Sequence, residues 1–336
     1  MRNRRAIPLL LAALFLFGAC GGGQSEATCY ALGTVCTQSI YGGRDLLSEG
    51  EKMIYAADAR YSWRKPASEI SKINAEAGSF VPVSRETFEL VRRARDLAVL
   101  TNGAFDPTLG ILTKEWNVSQ NPKVPSSDEI ERALAYVDYG KIQLNERETS
   151  VCIGKGQYLD LGAIAKGYVA DELAGYYREK GVQSGLINLG GNLYLLGKKP
   201  NGESYRVGIR DPLSASQEYF CTLSAVDRAV VVSGAYERYF EQDGKVYHHI
   251  LDPKTGYPAE SDLLSACIVA ADSTEADALS TAVYVMGKER GLALIEQLED
   301  VDAMLVGKDG KIYMSEGFEQ KYAVQWAEKM EYTKAG

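Results

Sequence analysis

Only two histidines occur in the chain, His248 and His249, and they are adjacent. A histidine general base must therefore sit at one of these two positions. In an extended segment neighbouring side chains point to opposite faces, so at most one of the pair enters a given cleft. A zinc site built on dispersed histidines is excluded, and no Cys-x-x-Cys pair replaces it. A second candidate is the group Asp277, Ser280 and Thr281. On a helix Asp277 and Thr281 lie four residues apart and share a face, with Ser280 three along. A carboxylate and two hydroxyls are hard oxygen ligands for Mg²⁺ or Ca²⁺. They are too few to enclose the ion, which suits Mg²⁺, because it keeps water and takes substrate phosphates. Without context the same residues also describe a polar helix face, and the two histidines a polar surface strand.

A third constellation runs Asp160-Leu161-Gly162-Ala163-Ile164-Ala165-Lys166-Gly167-Tyr168. It predicts a strand ending in Asp160, a turn at Gly162 and a helix. A helix N-terminus carries partial positive charge and free amide donors, so it favours phosphate. Lys166 falls in the first turn, where a cation is misplaced unless an anion is present. Gly167 costs about 1 kcal/mol relative to alanine inside a helix. Something must approach closely there, either packed backbone or a ligand. Two loops complete the set. Asn102-Gly103-Ala104-Phe105-Asp106-Pro107-Thr108 is a helix stop followed by a rigid loop. Ile187 to Asn192 is a strand broken by the pair Gly190-Gly191, where no side chain blocks a ligand or a neighbouring strand.

The elements that must position these residues alternate irregularly. The pattern predicts a strand over 30–41 and a helix over 46–61. A clearer helix spans 85–100, with Ser84 as N-cap and Asn102-Gly103 as stop. Ser126 and Glu129 have capping-box spacing before a helix through Val137. Another helix covers 164–180. Strands follow at 185–189, 192–197, 205–210, 229–232, 245–251 and 264–270. Helices return at 274–286 and 288–298, and Lys308-Asp309-Gly310-Lys311 reads as a hairpin turn. There is no regular βαβ rhythm, so the fold class is α+β.

Composition narrows the function. The 336 residues are 46% hydrophobic and 24% charged, with 37 basic against 45 acidic side chains and a net charge of −8. That balance argues against nucleic acid as a partner, which needs a basic footprint. No P-loop, Gly-x-Gly-x-x-Gly after a strand or Gly-x-Ser-x-Gly elbow is present. Arg2, Arg4 and Arg5 precede an apolar run from Ala6 to Cys20, too short for a comfortable span, which ends Phe17-Gly18-Ala19-Cys20. This is the pattern of an export signal. It resembles a bacterial lipobox with Phe17 where Leu is usual, a reading on which Cys20 is lipidated; the alternative is a plain cleaved signal with an incidental Cys. The expected organisation is a signal peptide over 1–19, a flexible tether over 20–30 and one domain over 31–332. The five remaining cysteines have irregular spacing and imply no disulfide framework.

In this order the segments resemble the ApbE family of exported flavin transferases. The resemblance runs from about Ala31 to Glu328. It rests on Leu32-Gly33-Thr34, on Ser62-Trp63 leading to Ser68 through Asn74, on Gly103 through Pro107 and on Asp160 through Gly167. It continues through Asn188 to Asn192, Ser233-Gly234 with Tyr236-Glu237-Arg238, His249 through Pro253, and Ala276-Asp277 with Ser280-Thr281. Leu32 stands where the family commonly has Met, and Ser280 where some members have Asp.

The resemblance implies a two-part fold of mixed and antiparallel sheets flanked by helices, with FAD bound in a cleft. It implies transfer of the FMN half of FAD to a Ser or Thr hydroxyl of an acceptor, a membrane redox subunit, with release of AMP. Leu32, Trp63, Ala104, Phe105, Asp106, Asp160, Lys166 and Ile250 map to flavin-nucleotide contacts. Ala163, through its carbonyl, Asp277, Ser280 and Thr281 map to Mg²⁺, or Ca²⁺. His249 maps to the catalytic base, which makes His248 the outward-facing one. Hydrolysis of FAD to FMN and AMP would use the same residues. A lipid-anchored flavin-binding protein without catalysis would not need the base and the metal ligands together.

Overall fold

A computed structural model describes residues 23–214, 216 and 218–335. The expected signal peptide over 1–19 and Cys20 lie outside these residues. The chain opens with strands β1 (Gln24–Ala31) and β2 (Thr34–Tyr41). Helices α1 (Arg44–Tyr61), α2 (Glu69–Ala75) and α3 (Arg85–Leu100) follow, with the short β3 (Val81–Pro82) before α3. Next come α4 (Gly110–Trp116), α5 (Ser127–Leu134), β4 (Gln143–Asn145) and β5 (Ser150–Cys152). Helix α6 (Ala165–Glu179) leads into β6 (Ser184–Leu189), β7 (Asn192–Gly197), β8 (Tyr205–Arg210), β9 (Tyr219–Ala225) and β10 (Arg228–Gly234). A ribbon, β11 (Tyr239–Gln242) and β12 (Lys245–His248), precedes β13 (Leu263–Ala270). The rest is α7 (Ser273–Met286), α8 (Lys288–Ile295), β14 (Val301–Gly307), β15 (Lys311–Met314), α9 (Phe318–Lys321), β16 (Gln325–Trp326) and β17 (Thr333–Lys334).

Nine strands form one sheet in the order β1-β2-β6-β7-β10-β13-β14-β15-β17. All its pairings are antiparallel except β15 with β17. Each strand lies beside the next one of that sheet in chain order, and helices or smaller sheets fill the intervals. The central strands are buried on both faces, and the period-two alternation divides their side chains. Ala229, Val231, Ala266, Ile268, Ala303 and Leu305 pack with α1, α3, α6 and α7. Val230, Cys267, Val269, Met304 and Val306 pack against β8, β9 and α9 on the other side. A third, smaller core joins α4 and α5 to the β11–β12 ribbon through Trp116, Leu112, Ile130, Leu251 and Tyr247. This is the α+β arrangement with mixed and antiparallel sheets that the sequence predicts.

Local signals account for most boundaries. Ser84 accepts from the Thr87 amide at 3.3 Å to start α3. Asn102 and Gly103, both left-handed, end it. Ser126 and Glu129 form the reciprocal capping box of α5. The differences are instructive. The expected strand over 30–41 is a hairpin broken at Leu32-Gly33, with Ala31 opposite Thr34. The expected tether over 20–30 is correspondingly too long, because residues from Gln24 on are paired in β1. The strand expected over 245–251 stops at His248, and α5 stops at Leu134 rather than Val137. The paired glycines Gly190 and Gly191, both with positive φ, make the two-residue turn from β6 to β7, with Gly190 packed close against Thr34. All five cysteines among the described residues are free and buried.

Helices α6 and α7 touch at Gly167. A Cβ there would lie 2.1 Å from the Ser273 carbonyl oxygen and 2.8 Å from Thr274 Cα. The close approach is therefore backbone packing, not a ligand. Gly167→Ala must push the start of α7 away from α6. It should lower stability by about 1–3 kcal/mol, measured as a lower urea midpoint; an unchanged midpoint would contradict this contact.

Candidate active site

His249 follows directly on β12. Its backbone N–H donates to the carbonyl of Arg238 at 3.0 Å, and its ring Nδ1 lies 3.2 Å from the same oxygen. A carbonyl only accepts, so Nδ1 carries the proton and Nε2 keeps its lone pair. Burial of the ring, then the charge of Arg238, lowers the His249 pKa to about 3, and Lys166 adds to this. His248 is not the outward residue expected. It is buried, with Nε2 3.2 Å from the Ala259 carbonyl and its ring edge-on to Tyr284 at 5.9 Å. Alternation sends the two rings to opposite sides, but the side away from the cleft is the α7 core rather than solvent. Ile250 is buried next to it, and its carbonyl accepts from Ala259 N at 2.9 Å.

Two turns converge on Arg238. The β1–β2 hairpin places Leu32 and Gly33 at its tip with φ of 53° and 70°. For leucine this left-handed backbone costs about 1–2 kcal/mol, a strain that positions half-buried Leu32 against the helical core. Arg238 Nη2 lies 3.5 Å from the Gly33 carbonyl. The tip, Arg238 and His249 are thus consecutive contacts, though more than 200 residues separate them in the chain.

The second centre is the start of α6. Lys166 Nζ lies 3.1 Å and 3.3 Å from the two oxygens of Asp277, and 3.1 Å from the Gly162 carbonyl. The amide of Gly167 donates to Asp277 at 3.0 Å. The anion that a first-turn lysine requires is therefore the Asp277 carboxylate, delivered by α7. No regular strand precedes this turn. The segment before Gly162 is extended, with one isolated bridge from Tyr158 to Leu109. Asp160 accepts from the Gly162 amide at 2.8 Å.

Asp277 and Thr281 share a face of α7 as the spacing predicts. Ser280 turns towards β10, fully buried, with Oγ 2.8 Å from Ser233 Oγ and donating to the Asp277 carbonyl at 2.9 Å. Thr281 Oγ1 stays half-buried at 3.5 Å from Ser233 Oγ. Ala163 is half-buried, one residue past the carbonyl that holds Lys166. Among the described residues no three His, Cys, Asp or Glu side chains converge on a metal position. A cation here would draw on one carboxylate, hydroxyls and carbonyls, a donor set that fits a hard divalent ion sharing its shell with water or phosphate. The ammonium already lying between a carboxylate and a carbonyl marks the place as one that attracts positive charge.

The third group forms the adjoining wall. Trp63 meets Tyr158 edge-on at 5.7 Å, and the Arg64 guanidinium lies 3.9 Å over the Trp63 ring. Asn74 clamps the segment next to Tyr158, giving to the Leu159 carbonyl at 3.0 Å and accepting from its amide at 2.6 Å. The amide of Asp160 donates to the Pro107 carbonyl at 2.8 Å, which ties this segment to the 103–108 loop. Asp106 shapes that loop. It is buried and accepts from Thr108 N at 2.8 Å, Thr108 Oγ1 at 2.6 Å and Tyr139 N at 3.2 Å. Burial raises its pKa against those bonds. Phe105 is buried in the main core, while Ala104 beside it is half-buried. Arg64 and Tyr158 were not singled out by type or spacing, and Asn74 and Arg238 stand in segments that carry the resemblance but were given no role there, because these roles depend on contacts across the fold.

The family model described as the ApbE family matches residues 32–305. A protein of Treponema pallidum named FAD:protein FMN transferase is 35% identical, with 95% of each chain covered. One of Klebsiella pneumoniae with the same name is 39% identical over 74% of this chain and 78% of its own. Among solved structures, the ApbE protein of Thermotoga maritima superposes with a TM-score of 0.84 at 33% identity, covering 89% of this chain and 99% of that one. The flavin transferase ApbE of Vibrio cholerae gives 0.80 at 27% identity, with the same coverage of both chains. A histidine tied to Arg238, a lysine–aspartate centre at the start of α6 and an aromatic wall thus sit on a fold shared almost end to end with these proteins, and the chain belongs to the ApbE family.

Proposed function

We propose that this chain transfers the FMN half of FAD to a Ser or Thr hydroxyl of an acceptor protein and releases AMP. The observation that carries the reading is the ring of His249: Nδ1 is held by a carbonyl, so Nε2 is kept as a base next to a centre that attracts positive charge. An alcohol is a poor nucleophile and gains from a positioned base. The acceptor oxygen forms a bond to the phosphorus next to riboflavin, and its proton goes to His249 Nε2. The bond from that phosphorus to the bridging oxygen breaks, and its electron pair leaves with AMP.

We further infer that Asp277, Thr281 and the Ala163 carbonyl hold Mg²⁺, or Ca²⁺, with Ser280 supporting α7 from behind. When bound, the ion would neutralise charge developing on the departing phosphate. Lys166, Asp160, Trp63, Leu32 and the 104–106 loop would line the nucleotide site. The basic start, apolar run and Cys20 support an exported protein, anchored by lipid and facing the periplasm or cell exterior. Its acceptor would be a membrane redox subunit. Labelled palmitate incorporated by the wild type and lost in Cys20→Ala is the expected result; equal labelling of both would remove the anchor assignment.

The test of transfer is direct. The protein is incubated with FAD, Mg²⁺ and a small domain carrying Asp-Gly-x-x-Ser/Thr-Gly-Ala-Thr, and the denatured acceptor is weighed. The expected result is a gain of one FMN, absent when the acceptor threonine is replaced by alanine. Free FMN and AMP with an unmodified acceptor would mark a hydrolase instead.

A further inference from the structure

Arg238 is a half-buried cation with no ion pair among the described residues. Its guanidinium makes one long hydrogen bond, 3.5 Å from Nη2 to the Gly33 carbonyl, so most of its donors are unspent. Arg64 is similar. Its guanidinium is stacked 3.9 Å over Trp63 and reaches Asn117 Oδ1 only at 3.5 Å. Desolvation lowers the Arg64 pKa, with the charge of Arg238 adding to it, against the pull of Asp160. Glu237 feels Arg210, Arg238 and Lys166 but makes no ion pair with them among the described residues. Lys166, by contrast, is fully engaged by Asp277. A half-buried guanidinium without a counter-ion, such as Arg238, is stabilised when an anion joins it. The planar forks of the two arginines match phosphate oxygens.

The position of Arg238 narrows the role. Its carbonyl holds the ring of His249, so one residue sets the base and presents a guanidinium beside it. We propose that Arg238 is a catalytic residue that grips the non-bridging oxygens of the phosphorus attacked by the acceptor, with Arg64 as a second arm on the same pyrophosphate. This rests on the FMN-transfer reading. As the acceptor oxygen bonds to phosphorus and the bond to the AMP phosphate breaks, charge on the non-bridging oxygens is met by N–H donors already in place. The proton still goes to His249, and AMP leaves with the electron pair.

The experiment uses the full-length protein and reads transfer to the acceptor and FAD affinity separately. Arg238→Ala is expected to lower kcat by at least about 100-fold and to weaken FAD binding by about tenfold. Arg238→Lys should recover only part of kcat, since an ammonium is a point charge without the fork. Added guanidinium chloride in the millimolar range should partly restore the alanine variant, an effect that a merely structural role would not produce. The lysine variant decides the matter if the alanine protein does not fold. Transfer and FAD affinity within about threefold of wild type in both variants would overturn the proposal. A wild type that binds FAD but never modifies an acceptor would overturn the transfer reading instead, and the FAD affinities of the variants would then decide whether Arg238 holds the phosphates.

Discussion

The His249→Ala protein is expected to transfer FMN about 10²–10⁴-fold more slowly than wild type, with FAD affinity changed only a few-fold. The ring is held at Nδ1 by the Arg238 carbonyl, and nothing else in the chain offers an imidazole to the cleft. His248 cannot stand in, because it is packed against Tyr284 and bonded to the Ala259 carbonyl on the far side. The pH dependence follows from the same environment. Burial and Arg238 lower the pKa to about 3 in the free protein, so the neutral base persists well below the ordinary histidine value. A rate limited by a normal histidine would fall as pH drops through about 6.5. Here kcat/KM should stay level from pH 8 to pH 5 and fall only below that. Full activity in the alanine variant would remove the base assignment, and a wild-type profile centred near 6.5 would contradict the buried setting.

Asp277→Asn should abolish the stimulation of transfer by Mg²⁺, with at least about 100-fold more metal needed for half-maximal rate. The substitution keeps volume but removes the charge that α7 contributes. It also strips Lys166 of its partner, whose Nζ lies 3.1 Å away. Breaking a buried pair costs about 3–5 kcal/mol, and less here because Lys166 retains some exposure and can turn to water. Two effects are therefore mixed, and Lys166→Met separates them. It breaks the same pair and should lower the unfolding midpoint comparably, yet keep the response to Mg²⁺, with the half-maximal rate at the wild-type concentration or below because the competing ammonium is gone. An Asp277→Asn protein with the wild-type Mg²⁺ response would remove aspartate from the metal site.

The sequence by itself determined most of the local structure and the candidate groups for the chemistry. Caps and stops are written in neighbouring residues, so α3 was legible to its ends and α5 to its start. With two histidines in the chain, the choice of base was between neighbours, and the 277–281 spacing placed carboxylate and hydroxyl on one face of α7. The misfit of Lys166 in a first turn announced an anion, though not which one. What only the tertiary structure decided was every pairing between distant segments. It brought Asp277 to Lys166, Asn74 to Leu159 and the hairpin tip to Arg238. It showed that Gly167 clears space for the backbone of Ser273 and that Ser280 faces β10. It buried His248, which alternation could send to the far side but could not place in core or solvent. Helix caps and strand alternation depend on residues a few positions apart, so sequence carries them. A ring orientation is set by a carbonyl 11 residues away, and a charge pair or hairpin contact by atoms 111 to 205 residues away, and those meet only when the sheet and its helices pack.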